Sequence, residues 1–88
     1  MKYNHEEDKK WLAENSFEFV CSYREHSFWR SKSSKYVDVR VAVPADPERR
    51  CYAFIAVAGA GARPELETVS RDGDTAEKAV EAVLSCNK

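Results

Sequence analysis

The 88 residues carry 43 % hydrophobic and 33 % charged side chains and a formal net charge of −1, which fits one soluble folded domain. These values exclude wholesale disorder, a second core and strong nonspecific affinity for polyanions. No apolar run approaches the roughly 18 residues of a membrane span.

The acidic opening, MKYNHEEDKKW, lacks the apolar segment of a secretory signal, so a cytoplasmic protein without membrane contact is expected. Cys21, Cys51 and Cys86 are an odd set, which argues against a disulfide framework. Cys21 and Cys51 are expected as small apolar residues inside strands.

In chain order, Asn4 followed by Glu7 forms a capping box, and Glu6, Glu7 and Asp8 set negative charge in the first helical turn. A helix over residues 5–14 comes next, burying Trp11 and Leu12 and ending at Glu14-Asn15-Ser16. Residues 17–24, FEFVCSYR, alternate Phe17, Phe19, Cys21 and Tyr23 against Glu18, Val20, Ser22 and Arg24. That period of two predicts a strand with one face inward. The large residues then lose phase at Phe28, which predicts a β-bulge near Glu25–His26.

Tyr36–Val43 reads as the clearest strand, with Val37, Val39, Val41 and Val43 on one face. Pro44 and Pro47 mark the turn after it. CYAFIAVAGAG, from Cys51, supplies a strand apolar on both faces, expected at the covered centre of the sheet. Gly59, Gly61 and Pro64 break it, and Leu66–Ser70 offers a fourth strand. Gly73 then makes a turn and Asp74 caps a last helix, with Glu77 completing a second capping box. Ala76, Ala79, Val80, Val83 and Leu84 form the buried stripe of that helix. The expected fold is an α+β two-layer sandwich in the order helix, three or four antiparallel strands, helix.

Catalytic patterns are scarce. His5 and His26 have no serine, cysteine or aspartate at a spacing that signals a triad, so both are expected as surface histidines and no enzymatic activity is expected. Cys21 and His26 lack the close ligand pairs of a structural zinc site, so neither a metal nor a cofactor is expected. The G-x-G of AGAGARP is followed by Pro64 and acidic residues, whereas a phosphate cradle needs a helix start there.

Two surfaces remain as candidates. Residues 24–36 interleave Arg24, Arg30, Lys32 and Lys35 with Phe28, Trp29 and Tyr36. That composition suits a protein-binding hot spot and also the stacking of single-stranded nucleic acid. The second surface is an acidic band of Glu65, Glu67, Asp72, Asp74, Glu77 and Glu81. A homodimer is a further option if Tyr36–Val43 or Cys51–Ala58 is an edge strand.

The order helix–strands–helix resembles the double-stranded-RNA-binding domain, a likeness that implies an RNA-binding sheet-and-helix fold. Ser70–Leu84, SRDGDTAEKAVEAVL, is similar to the tail of HicB-type antitoxins, and this likeness implies a domain that sits on a partner protein and blocks it. By type, the chain also resembles small phage-encoded inhibitors, anti-CRISPR proteins among them. The expectation is a small protein-binding inhibitor that covers a partner's functional surface. Its contact residues are expected among Phe28, Trp29, Arg30, Lys32, Lys35, Glu67, Asp72, Asp74 and Glu77. The alternative is a weak nucleic-acid-binding domain that uses residues 24–36.

Overall fold

The computed structural model describes residues 2–58 and 66–85. Helix α1 (His5–Glu14) leads into strands β1 (Phe17–Tyr23) and β2 (His26–Ser31). A 3-10 turn (Ser34–Tyr36) precedes strands β3 (Arg40–Pro44), β4 (Cys51–Ala58) and β5 (Leu66–Gly73), and helix α2 (Ala76–Ser85) closes the order. The strands form one antiparallel sheet in the order β1-β2-β3-β4-β5. Both helices pack on the same face of it. The α+β sandwich is as expected, with five strands rather than three or four.

The core lies between these layers. Val39, Val41, Val43, Cys51, Ala53 and Ile55 from the sheet meet Leu12 of α1 and Ala76, Ala79, Val80 and Val83 of α2. The stripe expected for α2 is therefore the buried one, because residues three and four apart share a helix face. At one corner Trp11, Phe17 and Tyr36 pack as three rings, with centroids 5.7–6.0 Å apart.

The extra strand comes from a hairpin that the alternation conceals. Tyr23 pairs with His26 across a two-residue turn, and both turn residues are left-handed: Arg24 has φ 49° and Glu25 φ 63°. The bulge lies at Val20 instead of Glu25–His26, since Phe19 pairs with Trp29 but Cys21 with Phe28. One inserted residue reverses the facing of every side chain beyond it on the strand. Phe17 and Phe19 therefore face the helices, while Cys21 and Tyr23 turn to the opposite face.

A two-residue turn of this hand favours Asn-Gly, because left-handed backbone costs about 1–2 kcal/mol for residues with a Cβ. Replacing Arg24–Glu25 by Asn–Gly is expected to stabilise the protein by about 1 kcal/mol or more, read as a higher urea midpoint with an unchanged slope.

The expected strand over residues 36–43 is only half formed. Ser33 Oγ accepts the Lys35 N–H at 3.0 Å, which winds Ser34–Tyr36 into the 3-10 turn. Asp38 is left-handed at φ 58°, so alternation begins only after it. Val39, Val41 and Val43 are buried, while Val37 is 62 % exposed. β4 is interior as expected, but it is covered on one side alone: Cys51, Ala53 and Ile55 are buried and Tyr52 and Ala56 are exposed. β5 runs on to Gly73, so Asp72 and Gly73 belong to a strand and not to a turn. The edges of the sheet are β1 and β5, so β3 and β4 are interior strands and not the edge strands considered for a homodimer, although β4 runs on past the residues that pair with β3. The expected break at Gly59, Gly61 and Pro64 lies outside the described residues.

Both helix starts use side-chain caps. Asn4 Oδ1 accepts the Glu7 N–H at 3.3 Å, as its spacing predicts. For α2 the capping side chain is Thr75, whose Oγ1 accepts the Lys78 N–H at 3.1 Å; Asp74 instead pairs with Arg50. Thr75→Ala is therefore expected to cost about 1 kcal/mol in urea unfolding. Asp74→Ala, which removes one arm of an exposed ion pair, should cost less.

Candidate functional site

With both helices on one face, the other face of the sheet is open. Strand register sets its side chains in rows. One row reads Glu18, Arg30, Arg40, Phe54 and Ser70 across β1 to β5. The next reads Cys21, Phe28, Ala42, Tyr52 and Asp72, and a third begins Tyr23, His26 and Pro44. Tyr23 is 60 % and Tyr52 44 % exposed, with Phe28 and Phe54 half-buried between them. Ala42 and Pro44 are small or flat and buried beneath these larger neighbours. Aromatic rings thus form an apolar platform that the fold leaves uncovered.

Charge on the platform is mostly paired off. Arg30 donates to Glu18 Oε1 through Nε at 3.0 Å and through a second nitrogen, and Lys32 Nζ lies 3.9 Å from Glu18 Oε2. The Arg30 hydrogen bonds hold the Glu18 carboxyl below its ordinary range. At the far edge Arg50 donates to Asp72 at 3.1 Å and to Asp74 at 2.6 Å. That contact, with Asp74 first, raises the guanidinium further.

Arg40 is different. It is exposed, sits directly opposite Arg30 on the central strand, and has no ion-pair partner among the described residues. Beside it β4 continues beyond Phe54, the last residue that β3 pairs with on that strand. The divergence opens a hollow of about 410 Å³ lined by Asp38, Arg40, Phe54, Ile55, Ala56 and Thr68.

The residues singled out in the sequence are dispersed by this geometry. Phe28 and Arg30 lie on the open face. Trp29, one residue along the strand, faces the helices; it packs against the core, meets Phe19 at 5.8 Å and donates its indole N–H to Ser27 Oγ at 3.1 Å. Lys32 and Lys35 belong to the connection after β2, at the opposite end of that strand from Arg24, so residues 24–36 do not form one basic tip. Lys35 lies 5.2 Å from the centre of the Tyr36 ring. Asp72 and Asp74 both engage Arg50, which offsets one of their two charges, Glu77 is exposed in the first turn of α2, and the Glu67 side chain lies outside the described residues. Arg40, Tyr52 and Phe54 were not singled out, although the alternation in CYAF and the charge in DVRV were there to be read.

A second polar group is internal. His5 and Asp8 are 8 % and 4 % exposed and Cys51 is fully buried, so His5 is not the surface residue its position at the helix start suggests. His5 Nδ1 lies 2.9 Å from Asp8 Oδ2, and its Nε2 lies 3.1 and 2.9 Å from the carbonyls of Asp46 and Arg49. Both ring nitrogens face oxygen atoms, Nδ1 the Asp8 carboxyl and Nε2 two main-chain carbonyls, so every polar atom of the ring has a partner. The Cys51 thiol donates to Asp8 Oδ2 at 3.2 Å, and the Ala76 N–H donates to Asp8 Oδ1 at 2.9 Å. Burial, and then the Asp8 charge, pushes the Cys51 thiol far up, which keeps it in the weakly nucleophilic protonated form. His26 is half-buried, with Nδ1 donating to the Arg24 carbonyl at 2.9 Å.

No described helix is long and apolar enough to cross a membrane. Comparisons with known protein families, characterised proteins and solved structures find no match to this chain.

Proposed function

We propose that this chain is a non-enzymatic protein-binding module that covers a functional surface of its partner with the open face of the sheet. The observation that carries this reading is Arg40, a cation with no ion-pair partner among the described residues, set among Tyr52, Phe54 and Phe28 at the centre of that face. Tyrosine and arginine around an apolar centre are the residues that dominate protein interfaces. The partner surface that fits presents a carboxylate to Arg40 and apolar side chains to the rings and the adjoining hollow. A phosphate-tracking groove draws less support, because Glu18 already engages Arg30 and Lys32. Mimicry of phosphate by the acidic band is weakened in the same way by Arg50. Free thiols at Cys21 and Cys51 suit a reducing, cytoplasmic setting.

The test is a random-peptide selection on the purified protein, counter-selected against Arg40→Glu. Recovered peptides should combine acidic with aromatic or aliphatic residues. They should bind at least about 10-fold more weakly to Tyr52→Ala and to Arg40→Glu, the loss of a modest hot spot. Both sites are exposed, so the variants should keep the circular dichroism and thermal midpoint of the parent. Three outcomes would overturn the proposal. One is peptides indifferent to both variants. Another is salt-sensitive binding of single-stranded DNA or RNA that Arg40→Glu abolishes. The last is self-association in sedimentation that Tyr52→Ala abolishes.

A further inference from the structure

His5, Asp8 and Cys51 lie 43–46 residues apart in sequence across two elements, apart from the His5–Asp8 pair within α1, and yet their ligand-type atoms all fall within 4.8 Å of one another. We propose that this buried trio is a binding site for a divalent transition metal of the zinc class.

The geometry fits such an ion. With zinc about 2.0–2.1 Å from nitrogen and oxygen and about 2.3 Å from sulfur, tetrahedral ligands stand about 3.3 Å (N to O) and about 3.5 Å (sulfur to either) apart. His5 Nδ1, Asp8 Oδ2 and Cys51 Sγ stand 2.9 Å (N to O), 3.2 Å (S to O) and 3.7 Å (S to N) apart. Shifts of a few tenths of an ångström bring them into register.

The outer groups are already those of a metal centre. The far nitrogen of His5 faces two main-chain carbonyls, and the second oxygen of Asp8 is held by the Ala76 N–H. Such contacts fix the ring and carboxylate orientation of metal ligands.

Charge conservation makes the exchange tolerable in a buried place. With one hydrogen in the His5–Asp8 contact and one on the Cys51 thiol the group carries no net charge, and neither does a divalent ion held by imidazole, carboxylate and thiolate. The ion takes the place of those two hydrogens, and both leave to solvent as protons. A shallow hollow of about 190 Å³ reaches Asp8 between Glu7, Trp11, Thr75 and Glu77, where two exposed carboxylates favour entry of a cation. Water entering from this side supplies the fourth ligand.

The experiment uses the full, tag-free chain with Co(II) and Zn(II) salts alone. Co(II) should give one equivalent of a cobalt–thiolate charge-transfer band, displaced by Zn(II). Zinc about 100-fold above its dissociation constant should raise the thermal midpoint by about 10 °C or more, reversed by a chelator. Calorimetry in buffers of different ionisation enthalpy should report two protons released per ion near neutral pH. Cys51→Ser should abolish the band. Should that variant not fold, Cys21→Ser/Cys86→Ser carries the test, since it retains Cys51 as its one thiol and must keep the band. No band and no thermal shift, or a band lost in Cys21→Ser/Cys86→Ser, would overturn the assignment.

Discussion

Asp8→Ala is expected to remove about 3–5 kcal/mol of stability in metal-free buffer, the result of deleting the shared acceptor of a buried polar cluster. The truncation leaves three groups without their acceptor: the His5 ring, the Cys51 thiol and the Ala76 N–H at the start of α2. For a chain of this size that is a large part of the whole, since stability runs at about 0.05–0.15 kcal/mol per residue. Urea unfolding should show a much lower midpoint with an unchanged slope. Asp8→Asn, which keeps an oxygen for Ala76 but not the charge, should fall between the two. A loss below about 1 kcal/mol in Asp8→Ala would mean that the cluster carries little of the fold.

Gly73→Ala should be the other large effect, through crowding. A Cβ at Gly73 would stand 2.4 Å from the Ala79 nitrogen, 2.8 Å from the Lys78 carbonyl carbon and 2.9 Å from Ala79 Cα. All three are main-chain atoms of α2, so no side-chain rotation relieves the contact and the helix must move off the sheet. A loss of about 3 kcal/mol, or roughly 12–24 °C in thermal midpoint, is expected. Because the obstruction is backbone, Gly73→Ala/Ala79→Gly should be no more stable than Gly73→Ala alone. Recovery in the double variant would place the clash in the Ala79 side chain instead.

The features legible in the sequence are those set by local periodicity. The Asn4 cap, the α2 stripe and the class of the fold follow from spacings of three, four and two residues. The β1–β2 hairpin escaped because Arg24–Glu25 carries neither the asparagine nor the glycine that such turns favour. Its bulge escaped because Val20 continues the run of apolar residues and so hides the change of face. The open platform was lost with it, since Tyr23 and Cys21 then read as core.

Asp74 and Thr75 are both good caps, and the choice between them is made by Arg50, distant in sequence. The His5–Asp8–Cys51 cluster joins residues more than forty positions apart, beyond any local pattern. Acidic residues in a first helical turn ordinarily serve their own helix. Asp8 serves another.

Strand order that matches chain order has a kinetic consequence. Each strand pairs with the next, so the sheet can grow hairpin by hairpin through small loops, each on a timescale of about 1–10 μs. The bond from Ala76 to Asp8 spans 68 residues and closes the two ends of the chain on each other. Its closure entropy is the largest, and it is recovered only when the sheet beneath already holds both helices in place. The Asp8 contacts are therefore expected to form after the rate-limiting step. Asp8→Ala should speed unfolding in stopped-flow measurements while leaving the refolding rate almost untouched.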